Sequence, residues 1–376
     1  MRITVLKKMV GSFTLSLFLM SAPTHAVAAS ATVLQAKQEA EAKGYIFFTA
    51  HDEIVAMAKK EGRLKLTSRL GNPTRNALIN GFRQKYPFIT DVHVEEISGT
   101  EAFERFLLEI QAGRAKGWDI AHIPIDFAKE YIPYLMKNDI LGMAKHGVLK
   151  IDSRMIHPVE RNMVDVTSSA RVVAYNRKLI SEDKVPARWE DFLKPEFKGR
   201  KFILDIRPLA VTTLVPAWGL ERTLDFAQKL AAQQPVWMAA SSAKHNTLVA
   251  TGEYALFLSP NLDNIKSVMA KDRTGNLSYK VVEPVPTRIA DHPSGILTTA
   301  DHPHAGLLWH EFLASPEGQE ILDKHELRAS VYTPGSVIEQ ATRGKKLSVV
   351  DWDHFTKFQE YVAKVVKAHG YPKADN

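Results

Sequence analysis

The chain has 376 residues, 45% of them hydrophobic and 24% charged, a globular composition long enough for two domains and unlike a disordered or fibrous segment. Its formal charge of +7 is scattered; a nucleic-acid protein would carry a basic stripe with interleaved aromatics, and the one candidate, Gly344-Lys345-Lys346, reads as a solvated turn. With no cysteine, there can be no disulfide, no thiol nucleophile and no lipidated cysteine at a processed N-terminus.

At the start, Lys7 and Lys8 precede an apolar run over residues 9–20 and a small-residue exit at Ala26-Val27-Ala28. That pattern predicts a secretory leader over residues 1–28, cut near Ala28 or Ala29, with an apolar run too short to anchor in a bilayer. Its loss lowers the formal charge to about +4. The mature chain is then expected free and soluble in a Gram-negative periplasm. Residues 31–42 are good helix formers, expected to pack on the outside. Residues 53–60 read as a helix ended at Gly62, and 64–67 as a strand with Ser68 and Arg69 at its end. A helix follows Pro73 with Ala77, Leu78 and Phe82 inward, then a strand over 92–97. Ser98 and Glu101 stand at capping-box spacing before a helix that buries Phe103, Phe106, Leu107 and Ile110. Residues 118–123 form the third strand, and this alternation predicts βαβ units and a mainly parallel sheet.

The second half repeats the pattern, with a strand at 172–175, a short helical turn at 189–193, strands at 202–205, 236–238 and 254–258, and helices at 222–232 and 242–251. Residues 277–285 and 295–299 are extended, and helices over 304–313, 317–324 and 355–366 close the chain, the last expected on the first lobe.

Three stretches carry a resemblance: YNRKLI at 175–180, PARWEDFLKPEFKGR at 186–200 and HPHAGLLWHEFLASPEGQEIL at 302–322. They resemble the type II periplasmic solute-binding proteins of ABC importers, most closely the branch with ferric-ion and polyamine receptors, over roughly residues 53–333. The resemblance implies an α/β fold of two lobes, each a mixed, mainly parallel sheet flanked by helices, joined by two hinge crossings. Residues 29–172 and 287–376 would form the first lobe and 173–286 the second. It implies a monomer that captures a small solute between the lobes and delivers it to an inner-membrane ABC permease, with no cofactor, no nucleic acid and no catalysis.

In open α/β sheets, ligands gather at the carboxyl ends of strands and beside helix N-termini. That rule selects Ser68, Arg69, Gly99, Thr100 and His122 from the first lobe, Asp205, Arg207, Ser241, Ser242, Ser259 and Asn261 from the second, and Tyr175 on the crossing strand. Arg69 and Arg207, one per lobe, suit a carboxylate or phosphate gripped by two parallel hydrogen bonds, which points to a small organic anion. The alternative for Arg207 is an ion pair with its neighbour Asp205. Ser241-Ser242 serve equally as helix caps, Tyr175 as a packed ring and Arg75 as an exposed arginine.

Ferric iron or a ferric chelate is the alternative ligand. The branch's ferric receptors carry adjacent tyrosines in the second lobe, phenolates being hard ligands for Fe(III), whereas GEYALFLSPNLDNI offers Tyr254 alone. Tyr131 and Tyr134 suit helix packing, and no metal site is expected at Asp291-His292-Pro293 or Asp301-His302-Pro303-His304. His310-Glu311 lacks the second histidine of a zinc-protease helix. No G-x-S-x-G elbow, P-loop or G-x-G-x-x-G is present, which leaves a secreted hydrolase or transferase using a loop serine and His122 as the alternative of another class.

Overall fold

The computed structural model describes residues 30–124, 127–289 and 293–370; the expected leader, Asp291 and His292 lie outside them. In chain order the strands are β1 (Arg63–Ser68), β2 (Asp91–Glu96), β3 (Ile120–His122), β4 (Met163–Val164), β5 (Ser169–Ala170), β6 (Val173–Asn176) and β7 (Ile203–Asp205). They continue with β8 (Val236–Met238), β9 (Leu256–Phe257), β10 (Leu277–Lys280), β11 (Val285–Arg288), β12 (Ser294–Ile296) and β13 (Leu347–Val350). Two five-stranded sheets, ordered β2-β1-β3-β12-β4 and β10-β6-β9-β7-β8, define the two lobes, and a three-stranded sheet, β13-β11-β5, lies on the path between them. In the first lobe β1 runs parallel to β2 and β3, while β12 runs antiparallel to β3 and β4. In the second, β7 runs parallel to β8 and β9.

The small sheet connects the lobes. The chain leaves the first at Val164, passes through β5 and enters the second at Val173; it returns from Lys280 through β11 to Ser294. The passages run antiparallel and paired, Thr287 opposite Ala170 and Arg288 opposite Ser169. The third strand, β13, lies parallel beside β11.

Local chemistry explains the elements that place the strand ends. The helix His51–Glu61 stops at Gly62, whose φ of 65° suits a residue without a side chain, and β1 begins at the next residue. The helix Thr100–Gln111 buries Phe103, Phe106, Leu107 and Ile110, the expected 3.6-period face. Its start differs from expectation: Gly99 is the cap, at φ 82°, and no side chain caps the helix. With Gly99 in that conformation Ser98 lies one residue too early to cap, so the Ser98–Glu101 box does not form.

The helix Pro303–Ala314 is buried without a break from Ala305 to Leu313, so it is central rather than amphipathic. Gly306 lets it press onto the first sheet: a Cβ there would meet Ile296 Cδ1 at 3.1 Å and Cγ1 at 3.2 Å. Its polar members therefore need partners inside the protein. Glu311 receives Tyr86 Oη at 3.1 Å, the Lys150 N–H at 2.7 Å and His51 Nε2 at 2.7 Å.

The terminal helix Phe358–His369 departs from its expected place on the first lobe. It packs on the helix Leu220–Ala232, Val365 joins the second lobe's core with Phe226 and Leu230, and His369 Nδ1 lies 3.0 Å from the Ala227 carbonyl. An apolar face in sequence shows that a helix docks but not on which lobe. The helix Ala31–Glu41 lies on the first lobe, with Val33 and Ala40 in its core.

Candidate functional site

The C-terminal ends of β1 and β3, the segment after β4 and the start of β12 meet at the edge of the first sheet from which the chain departs for β5 and to which it returns from β11. A cavity of about 100 Å³ lies there, walled on its other side by the helices Pro303–Ala314 and Pro316–Glu326. Three sequence-selected residues, Ser68, Arg69 and His122, line it. Arg69 is exposed and Ser68 half-buried at the mouth, whereas His122 is buried, its N–H donating to Thr67 Oγ1 at 2.9 Å and its ring 5.6 Å from that of Phe103.

Deeper in, Leu66, Val164, Val166, Trp309, Leu313 and Leu322 supply apolar walls. His310 forms part of the same lining and has no exposed surface. Four residues, one helical turn, after Gly306, it comes within 3.0 Å of Ser294 Oγ through Nε2, while Nδ1 has no partner. Burial pushes its imidazole down to about 4, so the ring is neutral near pH 7. Carboxylates around the cavity are engaged: Asp165 Oδ1 accepts from Thr167 N and Oγ1, and Glu326 Oε1 accepts from Gly71 N and Thr74 Oγ1.

The cavity's lining residues all come from outside the second lobe, and the residues selected in that lobe lie at its own strand ends. Arg207 is held by Asp205, Nε donating to Oδ1 at 2.9 Å and Nη2 to Oδ2 at 2.5 Å, and Nη2 also donates to the Ala240 carbonyl at 2.8 Å. Its guanidinium is thus engaged by a neighbour's charge. Ser241 caps the helix Ser242–Ala250, accepting from Lys244 N at 3.2 Å. Ser259 and Asn261 follow β9, and the buried Ser259 Oγ and Asn261 Oδ1 have no partner. The arginine Arg328 spans the lobes: it lines the cavity and donates through Nε and Nη2 to Asp263 Oδ2, at 3.0 and 2.9 Å, on the helix Leu262–Met269.

Thr100 and Tyr175, like the second-lobe residues, lie outside the cavity. Thr100 is the exposed first residue of its helix and does not line the cavity. Tyr175 is packed in the second core beside Val185 and Trp189, its hydroxyl donating to Glu182 Oε2 at 3.2 Å. His245 was not selected; it is fully buried, its Nδ1 4.0 Å from Asp205 Oδ2 and its ring edge-on to Phe257 at 4.8 Å, and burial lowers its pKa. Position four in a helix gave no signal that it would reach a strand end.

The histidine-rich segment at 301–304 makes capping contacts. His302 donates its N–H to Asp119 Oδ1 at 2.8 Å, and Glu61 accepts from the N–H groups of His304 and Ala305 at the start of their helix. Among the described residues no group of three or more His, Asp or Glu could hold a metal ion. Tyr131 is buried, its hydroxyl donating to the Phe103 carbonyl at 3.1 Å.

Residues 123–357 match the model of the family described as bacterial extracellular solute-binding protein. No curated protein matches the chain. Among solved structures, FutA (IdiA) of Trichodesmium with iron and citrate superposes with a TM-score of 0.66 at 17% identity, covering 82% of this chain and 100% of that one. Iron-bound HitA of Pseudomonas aeruginosa gives 0.60 at 16%, covering 81% and 99%, and the Atu4243 GABA receptor gives 0.60 at 14%, covering 84% and 99%. These likenesses establish the type II periplasmic-binding-protein fold. Family and structural relatives alike are binding proteins, and among the described residues no helix is long and apolar enough to cross a membrane. A matched family model over most of the chain and a shared two-lobed fold together place the chain in the bacterial extracellular solute-binding protein family.

Proposed function

We propose that the chain is the periplasmic receptor of an ABC importer, exported behind a cleaved leader, and that it holds a small organic anion between its lobes for delivery to the membrane permease. The observation that carries the ligand class is the cavity at the ends of β1 and β3, with Arg69 at its mouth and a largely apolar interior behind. Arg69 grips the anionic group, helped by Ser68, and Arg328 closes the second lobe over it through Asp263. Arg207, paired with Asp205, would engage the ligand from the second lobe's strand ends. Charge-assisted hydrogen bonds contribute about 1.5–3 kcal/mol each, so Arg69→Ala weakens binding at least about tenfold.

Ferric citrate is the competing ligand, since FutA and HitA bind iron. The single Tyr254 where ferric receptors carry adjacent tyrosines, and the buried Tyr131 whose hydroxyl donates to the Phe103 carbonyl, favour the organic anion. The test is a thermal-shift panel of carboxylates, phosphonates and ferric citrate on wild type and Arg69→Ala. Stabilisation by an organic acid that the substitution removes supports the reading. Stabilisation by ferric citrate alone, with a visible charge-transfer band, overturns it, and turnover of a bound compound would make the chain an enzyme instead.

A further inference from the structure

We infer that the C-terminal segment from Leu347 to His369 is a strap, anchored in both lobes, that limits how far they open. This goes beyond the receptor reading and rests on it for the opening and closing of the lobes around a solute.

The strap has three anchors. The first is on the second lobe. There β13 runs beside β11 in the connecting sheet, and Ser348, fully buried on it, donates from Oγ to the Thr213 carbonyl at 2.6 Å and accepts from the Ala217 N–H at 3.2 Å. Thr213 and Ala217 lie in the segment after β7, on either side of Leu214, a member of the second core. The next anchor is in the first lobe. Trp352 and Phe355 share a core with Phe103, Phe106 and Met163, and the Trp352 indole N–H donates to the Arg154 carbonyl at 3.1 Å. The third returns to the second lobe. Val365 has no exposed surface and joins Phe226 and Leu230, while His369 meets the Ala227 carbonyl at 3.0 Å and stands edge-on to Trp237 at 5.2 Å. At the head of that helix the Arg288 guanidinium, on β11, lies 4.7 Å from the ring centre of Phe358.

Little chain separates these anchors. Only Asp351 stands between β13 and Trp352, and only the exposed Thr356 and Lys357 stand between Phe355 and Phe358. Fully extended, the step from Phe355 to Phe358 reaches about 10 Å. In the structure it is folded into a turn, the Lys357 N–H donating to the His354 carbonyl at 3.1 Å. At this edge the lobes can part no further than the extended reach unless Phe355 or the terminal helix leaves its place. Phe355 and Phe358 are each 1% exposed, so undocking either returns a large apolar surface to water. Lobe motion is therefore a swing about this edge, where β5, β11 and β13 lie side by side. A receptor restrained in this way has fewer open arrangements to give up when a solute arrives, which lowers the ordering cost of binding.

The experiment measures the opening itself. The chain has no cysteine, so Glu104→Cys and Gln228→Cys, exposed on the helices Thr100–Gln111 and Leu220–Ala232 of opposite lobes, accept one spin label each and nothing else reacts. Pulsed electron paramagnetic resonance reads the distance between the labels in the unliganded chain, with and without a six-residue Gly-Ser insertion between Thr356 and Lys357. Such a linker has a root-mean-square reach of about 13 Å, so the distribution should broaden and gain separations longer than any in the original chain. The same insertion after Gly147, an exposed first-lobe position where a Cβ would meet nothing within 4 Å, should leave the distribution as it was. If the chain lengthened at Thr356 does not fold, urea titration of the labelled chain without insertion decides. The labels should separate only at concentrations where the amides of Phe358–His369 lose their protection from hydrogen exchange. A folded insertion variant with an unchanged distribution overturns the inference. So does a Gly147 insertion that broadens it as much, or a separation that grows while the terminal helix is still protected. No solute is added in any of these measurements, so a failed strap leaves the receptor reading standing, whereas a chain that binds no solute counts against the receptor and not against the strap.

Discussion

Asp263 and Arg328 make a contact between lobes whose loss can be sized. The two hydrogen bonds from Arg328 to Asp263 fall on one carboxylate oxygen, at 3.0 and 2.9 Å, and the side chains are 20% and 14% exposed. Fully exposed pairs contribute about 0.2–1 kcal/mol, while removing one member of a fully buried pair costs about 3–5 kcal/mol. These exposures put the pair between the two, at about 2 kcal/mol, so Asp263→Asn, which keeps the shape and removes the charge, should shift the open–closed balance roughly thirtyfold toward open. Small-angle scattering of the unliganded protein reads this directly: the variant's radius of gyration should exceed the wild type's, and added salt should move the wild type part of the way by screening. Superimposable scattering curves for wild type and Asp263→Asn, with unchanged melting, would refute the claim that this pair holds the lobes together.

Other consequences follow from the same packing. Glu311 and His51 set a pH window. The hydrogen bond His51 donates to Glu311 raises the His51 pKa above 6.5, so its stabilisation is complete below that value and fades as pH climbs through the raised pKa. Burial pushes Glu311 up, but His51, the Lys150 N–H and Tyr86 outweigh it, and the net pKa falls below 4.5; its stabilisation is present above that value and fades at lower pH. Melting temperature should therefore peak between about pH 4.5 and 6.5 on account of this pair, and His51→Gln should flatten the alkaline side; an unaltered profile would contradict the pairing. Gly318→Ala places a Cβ against the Phe312 carbonyl and 2.9 Å from Leu313 Cα, so backbone must shift and stability should fall by about 3 kcal/mol in urea denaturation; an unchanged midpoint would contradict the close turn between the two helices. Phe358 is 1% exposed, with the Arg288 guanidinium 4.7 Å from its ring centre, and Phe358→Ala should cost about 3–5 kcal/mol; a loss under about 1 kcal/mol would contradict the close packing of the terminal helix.

Legibility in the sequence followed the range of the interactions. The face Phe103, Phe106, Leu107 and Ile110 is set by periodicity within one helix and was readable, as were the strand ends that put Ser68, Arg69 and His122 at one edge. The Asp205–Arg207 pair, two residues apart, was foreseeable as an alternative to ligand binding. The floor of the cavity was not: His310 and Ser294 are brought to His122 by a strand and a helix that arrive from far along the chain, and a single histidine inside an apolar run carries no mark of its neighbours. For the same reason the terminal helix showed its apolar face but not the lobe that covers it. Gly99 took over the cap because the backbone needed a positive φ there, which spacing between Ser98 and Glu101 does not reveal.

The measurement that bears most directly on the receptor reading is native mass spectrometry of the chain isolated from a periplasm, for wild type and Arg69→Ala, before and after denaturation. The account predicts that wild type carries one small organic acid, released on unfolding, and that Arg69→Ala carries little or none. A mass increment of iron, an identical organic adduct on both proteins, or an empty wild type that no organic acid stabilises would contradict it.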